Sequence, residues 1–146
     1  MTQFQNERMI AAYMAVGGMD RALSLTAAYL RDRKTFGEPL LSRQYIQFRL
    51  AELAAEVDTL RHYNYACAEA YMRGEDTTRF ATIAKLKAGR LQREIADTCL
   101  QFHGGLGYME ESWVSRYFRD SRLLSIGGGA DEVMLQILAR IDGFTG

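Results

Sequence analysis

Few residues in this chain have the type and spacing that chemistry demands. Two glycine clusters stand out, Gly104-Gly105-x-Gly107 and Gly127-Gly128-Gly129. Neither is followed by the Gly-Lys-Ser/Thr of a phosphate-binding P-loop, and neither follows a strand, which excludes a Rossmann fingerprint. Two readings stay open. Each cluster is a helix–helix turn that needs positive φ, or a stretch of bare backbone that a ligand approaches closely. The second cluster opens a helix, whose free amide groups can receive an anion. Charged pairs mark both ends of the first helical stretch, Glu7-Arg8 and Arg33-Lys34. As residues alone they read as solvated surface charge, with Arg33 and Lys34 complementing the negative end of a helix dipole. His62 and His103 are the only histidines, and neither stands in a Glu-x-x-His pair. That argues against a di-metal bundle. Cys67 and Cys99 are too few for a disulfide framework and read as buried free thiols in a reducing compartment.

The elements that must position these residues follow from composition. The chain has 146 residues, the size of one domain. It carries 18 Ala, 16 Leu and 7 Met against 4 Val and 7 Ile, and a single proline. Straight-chain and small residues keep their rotamer freedom in a helix, and β-branched ones lose it. A β-sandwich or parallel sheet is therefore excluded. At 48% hydrophobic residues a core is available. Eighteen basic residues balance eighteen acidic ones, without the basic excess of a nucleic-acid binder. No apolar run approaches a membrane span, and no signal sequence opens the chain.

The spacing predicts a first helix from about Gln3 to about Arg33, with Gly17-Gly18 as a weak spot. Residues 35–42 read as a loop, with Ser42 as the N-cap of a second helix. In that helix Ile46, Leu50, Leu53, Val57, Leu60, Asn64, Cys67 and Tyr71 form one seam, and Gly74 stops it. Asp76 or Thr77 caps a third helix with a stripe of Ala84, Ala88, Leu91, Ile95, Thr98 and Phe102. Residues 103–108 read as a loop. A shorter helix spans about Ser112 to Ser121, Ile126 to Gly129 breaks the chain, and Ala130 to Ile141 closes it. Residues from Gly143 onward are expected to fray. The fold class is all-α, an antiparallel four-helix bundle with additional short C-terminal helices.

Three separated motifs then change the weight of the candidates. Arg33-Lys34-Thr35-Phe36-Gly37, Gln101-Phe102-His103-Gly104-Gly105-Leu106-Gly107-Tyr108, and Arg119-Asp120-Ser121-Arg122 leading into Ile126-Gly127-Gly128-Gly129-Ala130-Asp131-Glu132-Val133 occur in order. In sequence and spacing they resemble the acyl-CoA dehydrogenase family, specifically its C-terminal helical domain. The likeness covers essentially the whole chain. It implies that the family's N-terminal helical and middle β domains are missing, so that the chain is an excised domain or a truncated product.

The resemblance implies an FAD-dependent reaction. A base removes the α-proton of an acyl-CoA thioester while the β-hydride passes to the flavin, giving the 2-enoyl thioester. Many members carry the base as Glu at the position held here by Gly128. A branch similar to the long-chain and isovaleryl enzymes carries it on the first helix, within a Glu-Arg pair. Glu7-Arg8 matches that branch, so the resemblance assigns Glu7 as the base, with Arg8 and Gln5 holding the substrate. Excluding water would favour the protonated carboxyl, and the nearby helix N-terminus would favour the anion. For FAD it assigns Arg33 to the pyrophosphate, where a guanidinium makes bidentate contacts. Thr35 bonds nearby, Phe36 packs on the adenine end, Gln44 contacts the same end, and Gln101, Gly104 and Gly105 let the backbone approach. Ala130 departs from a common Thr beside the flavin phosphates, which removes one hydroxyl contact.

Further implications are a homodimer or homotetramer, electron-transfer flavoprotein as electron acceptor, and the bacterial cytoplasm or mitochondrial matrix as compartment. No metal, nucleic acid or membrane is implied. Two other readings compete. One is an oligomerisation or binding module without activity alone. The other is an acyl-CoA oxidase-type flavoenzyme, which differs in how the flavin is reoxidised.

Overall fold

The computed structural model describes the backbone of residues 2–145 and side chains from Phe4 onward. Among these residues the fold is helical. Three long helices, α1 (Thr2–Asp32), α2 (Gln44–Met72) and α3 (Thr78–His103), precede a single turn α4 (Gly105–Tyr108), then α5 (Trp113–Ser121) and α6 (Asp131–Ile141). Between α1 and α2 the expected loop folds into a two-residue hairpin, β1 (Lys34–Thr35) with β2 (Glu38–Pro39), pairing Lys34 with Pro39.

Side-chain contacts fix the directions. Asn64 donates to the Ala12 carbonyl at 3.3 Å and Arg61 pairs with Asp20 at 2.9 Å, so α2 runs against α1. Arg49 bonds Glu94 at 2.5 Å, and Tyr63 packs on Phe80, so α3 runs against α2. Gln5 meets Thr78 near the start of both helices and the Cys99 thiol faces the Ala22 carbonyl, so α3 runs alongside α1 in the same sense. Arg79 holds Asp142 at 2.9 Å while Arg90 lies 3.7 Å from Asp131, which sets α6 antiparallel to α3. The bundle is therefore up-down-up-down, with α3 packed against α1, α2, α5 and α6.

That central place explains the composition of α3. Ala81, Ala84, Ala88, Gly89 and Ala96 are all buried, and their small side chains let neighbouring backbones approach. Leu53, Val57 and Leu60 of α2 meet Val16 and Met19 of α1 and Ile95 of α3 in one core. Each large aliphatic side chain buried there contributes about 1.5–3 kcal/mol. The predicted seam of α2 holds from Ile46 to Cys67, with Leu50 half-buried. At its end Tyr71 is exposed and Ala70 is buried instead. Gly17 and Gly18 do not interrupt α1, because Val16 and Met19 beside them are anchored in the core.

Helix ends differ from expectation in three places. Arg43, not Ser42, is the N-cap of α2, because Ser42 turns its hydroxyl onto the Pro39 carbonyl at 2.7 Å within a 3-10 turn. Residues 105–108 close one helical turn rather than a loop. The chain does not fray at Gly143: the Phe144 amide bonds the Ala139 carbonyl at 2.8 Å, and Gly143 adopts φ 72°, a Schellman closure. Gly74 ends α2 the same way, with Glu75 bonding Ala70. Thr77 is the N-cap of α3, and Asp76 before it accepts from the Thr78 hydroxyl at 2.6 Å and the Thr78 amide at 2.9 Å, contacts that hold its carboxyl below the usual range. Both cysteines are buried and free. No described helix is long and apolar enough to cross a membrane.

Candidate functional site

A cavity of about 430 Å³ opens between the first half of α1, the middle of α3 and the segment from α5 to α6. Glu7 and Arg8 enter from α1, Lys85 and Gln92 from α3, Asp120 from α5, and Gly127 and Gly128 from the turn before α6. Ala11, Met14, Ala15, Leu123 and Leu124 give it an apolar wall. Glu7 is exposed and Arg8 half-buried. Glu7 stands on the apolar wall with bare backbone opposite, a placement suited to taking a proton from a carbon acid held between them, and Asp120 is the second carboxylate of the lining.

The glycine turn is a defined structure rather than slack chain. Gly128 and Gly129 both sit at positive φ, 64° and 100°. A Cβ on Gly129 would fall 2.7 Å from Met134 Cε and 3.9 Å from a terminal nitrogen of Arg8. A Cβ on Gly128 would meet nothing within 4 Å. Beneath the turn lies a charged cluster that composition does not announce. Lys85 is 1% exposed, and its ammonium donates to the Gly129 carbonyl. Burial pushes its pKa down, Asp131 works the other way, and Arg8 pushes it down further. Asp131 is buried with Oδ1 unpartnered, and Arg8 Nε also lacks a partner.

A second cavity of about 850 Å³ lies at the opposite end of α1 and α3. Arg33, Thr35, Gln101, Gly104 and Gly105 line it together with Tyr29, Tyr45, Phe102 and His103. Among the described residues Arg33 makes no ion pair, and it is exposed. A Cβ on Gly104 or Gly105 would meet nothing within 4 Å, so the backbone there is open to close approach. His103 stacks on Tyr29 with centroids 4.3 Å apart and meets Trp113 edge-on at 5.4 Å. Its Nδ1 donates to the Cys99 carbonyl at 2.7 Å, and burial holds its pKa below the usual histidine value.

The family model for the C-terminal domain of acyl-CoA dehydrogenase matches residues 1–141. The chain belongs to this family. It is 38% identical over 133 residues to YngJ of Bacillus subtilis, named as a probable acyl-CoA dehydrogenase, covering 91% of this chain and 35% of that protein. With the pig mitochondrial long-chain specific acyl-CoA dehydrogenase it shares 33% identity, covering 96% of this chain and 33% of the other. The crystal structure of a probable acyl-CoA dehydrogenase from Mycobacterium abscessus superposes with a TM-score of 0.93 at 39% identity, over 97% of this chain and 38% of that one. The chain thus spans about a third of the length of these acyl-CoA dehydrogenases.

Within this acyl-CoA dehydrogenase domain the fold brings together most, not all, of the residues singled out from sequence. Glu7, Arg8 and Gly128 share one cavity; Arg33, Thr35, Gln101, Gly104 and Gly105 share the other. Gln5 instead bonds the Thr78 side chain and stands outside the lining of the Glu7 cavity. Phe36, fully exposed at the hairpin tip with φ 53°, and Gln44, exposed beside Tyr45, stand outside the lining of the Arg33 cavity. Lys85 was missed. Its signal was a lysine set among Ala81, Ala84, Ala88 and Gly89 on a small-residue face, where a long charged side chain has no solvent to reach.

Proposed function

We infer that the complete protein is an FAD-dependent acyl-CoA dehydrogenase with Glu7 as its α-proton base, and that this chain is its C-terminal domain. The observation that carries the reading is the shared cavity of Glu7 and Gly128. Glu7 supplies the carboxylate on the cavity wall, and the alternative base position of the family is glycine. The acyl chain lies along Ala11, Met14, Ala15 and Leu124. Arg8 at the rim holds the thioester end, and Gln5, through its contact with Thr78, braces the start of α1.

The second cavity fits a dinucleotide by its donors. Arg33 offers a free guanidinium, Thr35 a hydroxyl and Gln101 an amide, while Gly104 and Gly105 leave room for phosphate oxygens. Tyr45 and Phe102 offer flat apolar surface to an adenine ring, and Phe36 and Gln44 extend that end from the hairpin and the start of α2. The chemistry supplied by bound FAD is acceptance of the β-hydride. Glu7 takes the α-proton onto its carboxylate, the α–β double bond forms, and the electron pair of the β C–H bond leaves with the hydride. Exposed Phe4, Ile10 and Phe48 provide apolar surface for association into a dimer, or a tetramer of dimers. Electron-transfer flavoprotein is the acceptor of the complete protein.

The test is turnover of acyl-CoA thioesters by the complete protein, with electron-transfer flavoprotein and with oxygen as acceptors. Reduction of the flavoprotein together with 2-enoyl product supports the reading. Reaction with oxygen alone makes it an oxidase, and no turnover with any acyl-CoA leaves a binding module.

A further inference from the structure

We propose that Lys85 is a positioning residue of the Glu7 cavity, holding the Gly127–Gly129 turn in its left-handed form through the Gly129 carbonyl. The inference rests on the reading of Glu7 as the base, and it adds a residue that the reading does not use. Lys85 lies in the middle of α3, 1% exposed, where a neutral residue would avoid the cost of burying an ammonium. Burial of a charge without a solvent outlet needs a return elsewhere in the molecule. The return here is geometric. The ammonium donates to Gly129, and Lys85 also lines the cavity that Gly127, Gly128 and Glu7 line.

The surroundings agree. Gly128 and Gly129 are both in the left-handed region, so the turn has no side chain of its own to pin it. Asp131 begins α6 immediately after the turn, buried, with Oδ1 unpartnered and Oδ2 3.7 Å from Arg90 Nε. Its charge is placed to keep Lys85 protonated against desolvation and against Arg8. Arg8 from α1 approaches the same glycine from the cavity side. Lys85 thus ties α3 to the turn, while Asp131, facing Arg90, sets the start of α6 against α3. A turn free to flip would change both the shape of the cavity and the distance from its backbone to Glu7. Lys85 acts through Gly129 and has no contact with the proton being moved.

The test compares the unaltered protein with Lys85→Met, Lys85→Met/Asp131→Asn and Glu7→Gln, each in the complete protein. Two quantities are read. One is amide hydrogen exchange at residues 127–130, which needs no substrate or cofactor. The other is exchange of the α-proton of an acyl-CoA thioester in heavy water. Lys85→Met should speed amide exchange in the turn at least tenfold and slow α-proton exchange at least tenfold, with exchange in α2 unchanged. The double variant removes both buried charges, so it folds without an orphaned carboxylate and should show the same two losses. Recovery of both quantities in the double variant would make Lys85 only a counter-charge for Asp131 and overturn the proposal. A turn unchanged by Lys85→Met, or a loosened turn with undiminished α-proton exchange, also overturns it. Failure of the Glu7 reading is separate: it appears as normal α-proton exchange in Glu7→Gln, whatever Lys85 does.

Discussion

Glu7, near the start of α1, and Gly128, in the turn before α6, line the same cavity although almost the whole chain separates them. On the proposed reading the base occupies one position or the other, and here only the first carries a carboxylate. Two positions that converge on one space can exchange one function between them.

That convergence gives the first prediction. In the complete protein Glu7→Gln should lower kcat by roughly 10²–10⁴, the usual contribution of a general base, with FAD still bound. Rates are compared at saturating acyl-CoA, so that a binding defect through Arg8 is not read as lost chemistry. Adding Gly128→Glu should restore part of the rate, because a side chain there meets open space. Restoration stays partial because φ 64° costs a non-glycine residue about 1–2 kcal/mol. A near-normal kcat in Glu7→Gln places the base elsewhere.

Arg33→Ala should weaken retention of FAD. A hydrogen bond to a charged group contributes about 1.5–3 kcal/mol, roughly one to two orders of magnitude in Kd. Arg33→Lys should recover only part of this, since an ammonium lacks the planar fork. Flavin content after dialysis, read by absorbance, checks both. Unchanged content in Arg33→Ala removes this residue from the cofactor site.

The helices were legible in the sequence because their periodicity is set by burial, and burial is what the bundle enforces. The α2 seam as far as Cys67 and the α3 stripe from Ala84 to Ile95 face a neighbour as their spacing required; beyond them Tyr71 is exposed, and Cys99 and His103 are buried where Thr98 and Phe102 are only half-buried. The stops at Gly74 and Gly143 are local chemistry, although at Gly143 the Schellman closure replaced the expected fraying. The hairpin at residues 34–39 escaped because a two-residue strand has no period to detect. Ser42 misled because its hydroxyl donates to the nearby Pro39 carbonyl instead of accepting from the α2 amides. For the site, the motifs identified residues but not their grouping. The small-residue face around Lys85 was its one signal in the sequence, but its partner Gly129 came into view only when α3 and the turn were brought together, since a lysine in a helix ordinarily reads as surface.

Gly17→Ala should stabilise the fold by about 1 kcal/mol. Gly17 lies inside α1 and is exposed, and an added Cβ meets nothing within 4 Å. The gain comes from reduced freedom of the unfolded chain rather than from any new contact. A denaturant melt should show a higher midpoint at unchanged slope. A lower midpoint would mean that the glycine serves close packing in the assembled protein.

Neither thiol should react in the native state. Burial raises the pKa of Cys67, and that of Cys99 is pushed up to about 11. The thiolate is the reactive form. At pH 8 an alkylating reagent should leave both unlabelled until denaturant is added, when both label at the ordinary rate. Fast native labelling at either position shows that its helix opens.

The last prediction concerns pH. His103 is buried between Tyr29 and Trp113, and desolvation lowers its pKa from 6.5. The folded state therefore binds this proton less readily than the unfolded state. Above pH 6.5 both states are neutral here and the full stability is present. As pH falls below 6.5 the unfolded chain takes up a proton that the folded chain refuses, and stability drops until the folded pKa is passed. The carboxylates whose pKa values are lowered, Glu75, Asp76 and Asp142, lose their contributions only at more acid pH. Urea melts at pH 7.5, 6.5 and 5.5 should therefore show a falling midpoint, and His103→Gln should flatten that fall. Gln keeps a donor for the Cys99 carbonyl and loses the titration. A slope that survives in His103→Gln assigns the pH dependence to another group.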